Sequence, residues 1–95
     1  MEIFKIAVSK KPEMEKILAM DQIFRLSITI RDSSIFGEDG YLYLILEGLE
    51  SRLKIAKEEL SKISEPIDKG KFEKIREYIE NERDRVNDSF GSIFG

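Results

Sequence analysis

The chain contains no cysteine, no histidine and no tryptophan. Without cysteine there is no disulfide, no thiolate nucleophile and no sulfur-ligated zinc. Without histidine, the usual general base near neutral pH and the commonest transition-metal ligand are both missing. No apolar run approaches the roughly 18–20 residues that a membrane-spanning helix needs. The opening stretch MEIFKIAVSKK alternates apolar with polar residues and carries Glu2. It is unlike a signal peptide, and the expectation is a cytoplasmic protein with no membrane partner. A surplus of one charge is lacking too. Residues 1–48 carry 6 Lys/Arg against 8 Asp/Glu, residues 49–95 carry 10 against 11, and the net charge is −3. Neither half offers the basic footprint that phosphate-backbone binding requires, so nucleic acid is disfavoured as a partner.

What is present suits one small domain. The 95 residues are 41% hydrophobic and 37% charged, enough for a modest core under a well-solvated surface. Lys, Glu and Ile abound while Gln occurs once and Asn twice, a bias that fits a heat-adapted (thermophile) source.

Periodicity divides the chain into elements. Residues 2–9 alternate, with Phe4, Ile6 and Val8 on one face and Ile3, Lys5 and Ala7 on the other, which predicts a strand. Pro12 suits the first turn of a helix capped by Ser9 or Lys11, with Met14, Ile17 and Leu18 as its apolar stripe. Residues 23–31 alternate again, predicting a strand with Phe24, Leu26, Ile28 and Ile30 inward. The Asp-, Ser- and Gly-rich residues 32–40 read as a loop. A third strand follows over residues 41–47, with Leu42, Leu44 and Leu46 toward the core and Tyr41, Tyr43 and Ile45 on its other face. Leu49, Leu53, Ala56, Leu60 and Ile63 recur at helical spacing, with Ile55 off that stripe. SEPID, residues 64–68, reads as a short edge strand or a connector. Asp68 then caps a last helix to about Val86, carrying Phe72, Ile75, Ile79 and Val86, before an apolar tail.

The order predicts an α+β fold: a ferredoxin-like βαββα(β) plait over residues 1–68, with an additional C-terminal helix and tail over residues 69–95 in the same domain unit. By element order alone, residues 1–68 resemble small ligand-sensing modules of the ACT type, which implies binding of a small molecule near the 32–40 loop or at a subunit interface.

No motif fixes a reaction. DSSIFG places Asp32, Ser34 and Gly37 at calcium-loop positions, but Phe36 and Tyr43 stand where further ligands belong, so the match fails. Gly37, Gly40 and Gly48 do not form a phosphate cradle. Serines lack a base, and paired carboxylates such as Glu58–Glu59 belong to wet helix faces. Tyr41 and Tyr43 alternate as base-stacking residues would, yet the aromatic-glycine consensus of such sheets is absent and the adjoining loop is acidic. No enzyme activity, cofactor or metal is expected.

The informative feature is the second apolar face of the sheet, Tyr41, Tyr43, Ile45, Ile3 and Ala7. It needs cover from the last helix, a second copy of the chain or another protein. Ser-Ile-Phe-Gly also occurs twice, at residues 34–37 and 92–95; so short an identity is expected by coincidence, although each copy suits a turn followed by an apolar anchor. The expectation is an interaction or regulatory module, a homodimer or a subunit binding a protein partner. Its contact residues would be Tyr41, Tyr43 and Ile45 on the sheet and Phe90, Ile93 and Phe94 on the tail. An ACT-like small-molecule sensor is the alternative, and a carboxylate-based enzyme using Asp32, Glu38 or Asp39 ranks below it.

Overall fold

A computed structural model describes residues 1–94, with side chains described for residues 1–84. Four strands and three helices follow one another as β1 (Glu2–Ala7), α1 (Lys11–Leu18), β2 (Ser27–Asp32), β3 (Tyr41–Glu47), α2 (Glu50–Leu60), β4 (Ser64–Glu65) and α3 (Lys69–Phe94). The strands form one sheet in the order β2-β3-β1-β4, with every neighbouring pair antiparallel. This α+β arrangement is compatible with a ferredoxin-like fold. Residues 64–65 pair with Ile6 and Lys5, so the SEPID stretch contributes a two-residue edge strand.

Because successive strand residues point to opposite faces, β1 and β3 each serve two cores. Phe4, Ile6, Leu44 and Leu46 pack with Met14, Ile23, Leu26, Ala56 and Leu60 beneath α1 and α2. Ile3, Tyr43 and Ile45 pack on the opposite face with Ile75 and Ile79 of α3, flanked by Phe36, Phe72 and Tyr78. The sheet is therefore the middle of three layers. Full burial of an Ile side chain is worth about 1.5–3 kcal/mol, so Ile75 and Ile79, with Phe72 and Tyr78 beside them, hold α3 against this face. Asp68 starts α3 by accepting a hydrogen bond from the Lys71 amide at 2.8 Å.

Several boundaries differ from the sequence reading. Residues 20–26 are not strand: the amides of Ile23 and Phe24 donate to the Met20 carbonyl, and Leu26 donates to that of Ile23. These turn bonds give residues 23 and 26 a common side, so Ile23 and Leu26 are buried while Phe24 is 52% exposed. Val8 lies in a single 3-10 turn after β1 and is exposed. Lys10, not Ser9 or Lys11, occupies the cap position of α1, without a side-chain bond. Leu49 takes the cap position of α2 and is exposed, whereas Ile55 packs against the core. Finally, α3 runs through the stretch that the sequence set apart as a tail.

Candidate functional site

Chemistry and accessibility come together at the loop between β2 and β3 and at the outer edge of β2. The loop is built from its own sequence. Asp32 accepts a hydrogen bond from the Ser34 amide at 2.8 Å, which starts a 3-10 turn over Ser33–Phe36. Gly37 ends that turn at φ 78°, a left-handed conformation that glycine adopts without steric cost. Ser33 is fully buried, and its hydroxyl donates to the Glu38 carbonyl and accepts from the Tyr41 amide. The first Ser-Ile-Phe-Gly copy thus ends in an anchor. Phe36 meets Tyr43 and Tyr78 edge to face, with centroids 5.4 Å and 5.2 Å away.

So pinned, the loop delivers Glu38 into a cleft of about 310 Å³ lined by Lys5, Glu38, Tyr43, Pro66, Ile67, Asp68 and Lys71. Glu38 ion-pairs with Lys71 at 2.9 Å and with Lys5 at 3.1 Å, and the Tyr43 hydroxyl donates to it. Lys71 also donates to the Phe36 carbonyl. The hydrogen bond from Tyr43, then those from Lys71 and Lys5, pull the Glu38 carboxyl down to about 2. Burial, followed by the adjacent Glu38 carboxylate, pushes the Tyr43 phenol well above its usual range. Lys5 is raised, first by its hydrogen bond to Glu38. A lysine nucleophile needs the opposite shift. Of Asp32, Glu38 and Asp39, Glu38 lines the cleft and Asp32 is engaged in the turn. Among the described residues, no three carboxylates gather to hold a metal ion.

The sequence-derived contact residues are distributed differently from one another. Tyr43 and Ile45 are buried beneath α3 of their own chain, so intrachain packing covers the second sheet face. Tyr41 is half-buried at the far end of β3, with its hydroxyl 3.4 Å from Glu65 and the Lys5 ammonium 4.3 Å from its ring centre. Phe90, Ile93 and Phe94 lie outside the residues whose side chains are described.

The exposed apolar surface is elsewhere. β2 is an edge strand, paired with β3 through Ile28↔Leu46 and Ile30↔Leu44. That register puts Ile28 and Ile30 on the α1/α2 side, yet both stay more than a third exposed because the helices centre on β1 and β3. Across the sheet, Arg31 ties β2 to Glu82 of α3 at 2.9 Å. Among the described residues, no strand pairs with the outer edge of β2. Sequence reasoning placed Ile28 and Ile30 inward, since alternation reveals faces but not which strand lies at an edge. No local signal marked the Glu38 cluster, because its lysines lie 33 residues away on either side.

Comparison with protein-family models, with curated proteins and with solved structures finds no match for this chain.

Proposed function

We propose that the chain is a small interaction module: a ferredoxin-like plait, closed on one face by α3, that recognises another polypeptide at the outer edge of β2. The observation that carries this reading is the open edge itself, flanked by exposed Ile28 and Ile30. An unpaired edge offers a row of backbone donors and acceptors, and apolar side chains beside it add the burial that strand addition needs. Phe90, Ile93 and Phe94 belong to the same proposal as a second apolar contact, since six residues bearing three large apolar side chains are ill suited to water.

The test is titration of the isotope-labelled chain with an extended peptide that copies residues 26–33, following the backbone amides of β2. Slowed hydrogen exchange over residues 27–32, abolished by Ile28→Lys/Ile30→Lys, supports the reading. Exchange over residues 27–32 that is unchanged at every peptide concentration, with no association of the chain, contradicts it. Deleting residues 89–95 is expected to lower stability or change the association state, and no change in either removes the tail from the proposal.

One observation favours a second reading, a sensor of small carboxylate ligands. The Lys5–Glu38–Lys71 cleft holds an internal carboxylate between two ammonium groups and a phenol, an arrangement that an anionic ligand would meet on displacing Glu38. A thermal-shift screen of amino acids and other small carboxylates against wild type and Lys71→Met discriminates. A stabilisation lost in the variant supports the sensor, and no shift with any compound sets it aside.

A further inference from the structure

We infer that the polypeptide recognised at the β2 edge is a second copy of this chain, paired antiparallel about a two-fold axis through Thr29. This inference rests on the interaction reading above and names its partner. The exposed large hydrophobic residues carry it. Four of them, Phe24, Ile28, Ile30 and Ile35, lie in or beside β2, and their positions are almost symmetric about residue 29.

An antiparallel pairing joins residues whose numbers have a constant sum, and paired side chains share a face. With Thr29 opposite Thr29, Ile28 of one copy meets Ile30 of the other, and the reverse pair forms two residues on. Four isoleucines then make one apolar cluster on the α1/α2 side of a continuous eight-stranded sheet. Just beyond the strand ends, Phe24 of each copy approaches the turn that carries Ile35 of the other. Charges within the strand agree with this register: Arg31 falls opposite Ser27, so no like charges face each other. Sliding by one step in one direction sets Ile28 against the Asp32 carboxylate. Sliding in the other sets Ile30 against Leu26, which is already buried in its own core. The pattern is self-complementary in one register.

The absence of cysteine makes the register directly readable. Directly opposed residues in an antiparallel pair have Cα atoms about 4.5–5.5 Å apart, inside the range a disulfide spans. Under mild oxidation, Thr29→Cys is expected to form a disulfide-linked dimer in high yield. Ile28→Cys and Ile30→Cys are each expected to cross-link poorly alone, but to form the heterodimer when mixed. The mixed pair keeps the test decisive if Thr29→Cys fails to fold. Equal cross-linking at all positions, or none at any, overturns the register and the second copy. A monomer whose β2 amides become exposed only when residues 89–95 are deleted also overturns it, by assigning the edge to the chain's own C-terminal segment. Should cross-linking fail while the strand peptide still protects β2, the interaction reading stands without the second copy. If both fail, both fall.

Discussion

At the scale of single residues, Glu38 ties separate elements together. It joins a loop to β1 through Lys5, to β3 through Tyr43 and to α3 through Lys71. Its carboxyl is depressed to about 2 from an ordinary 4.5. A depressed carboxyl contributes stability that is present above its unfolded value and lost as pH falls toward its folded value. Wild type is therefore expected to lose stability progressively between pH 4.5 and about 2, and urea titrations of Glu38→Gln should lack that component. Tyr43 acts at the other end of the scale. Its raised phenol contributes stability that is complete below the ordinary value of 10.0 and declines as pH rises above it. Tyr43→Phe should remove this alkaline component and cost about 1.5–3 kcal/mol at neutral pH, the worth of a hydrogen bond to a charged group. Gly48 has no room for a larger residue without a shift of its neighbour. At φ 149°, an added Cβ would stand 2.6 Å from the Leu26 Cδ2 atom. Gly48→Ala is expected to cost about 1–3 kcal/mol, measured by equilibrium unfolding.

At the scale of elements, α3 decides which surfaces are free. Its stripe of Phe72, Ile75 and Ile79 closes the face that would otherwise expose Ile3, Tyr43 and Ile45. Ile75→Ala, at a fully buried site, should cost about 2–5 kcal/mol and expose this face to a hydrophobic dye. Much of this was legible in the sequence. The two faces of β3 follow from strict alternation, and the stripe and Asp68 cap of α3 follow from helical spacing. The start of β2 was not legible, because IFRL alternates like a strand while its backbone is held in turns bonded to Met20 and Ile23. The Glu38 cluster escaped for a different reason. It depends on tertiary juxtaposition of β1, the loop and α3, and no local spacing encodes that.

At the scale of the whole molecule, exposed large hydrophobic side chains among the described residues gather around β2, where Phe24, Ile28, Ile30 and Ile35 lie, with Val8, Met20 and Leu49 scattered elsewhere. Among the described residues, no helix is long and apolar enough to cross a membrane. Every buried side-chain polar atom among them has a hydrogen-bond partner. The proposed interaction adds a strand at the edge of β2, beside exposed Ile28 and Ile30. Sedimentation equilibrium from low micromolar to millimolar concentration tests this most directly, with wild type run beside Ile28→Lys/Ile30→Lys. Both substituted positions are exposed, so the variant should keep the wild-type circular dichroism spectrum. Wild type is expected to pass reversibly from monomer to dimer while the variant stays monomeric. A wild type that remains monomeric across the range, or a variant that dimerises equally well, would contradict self-association through β2.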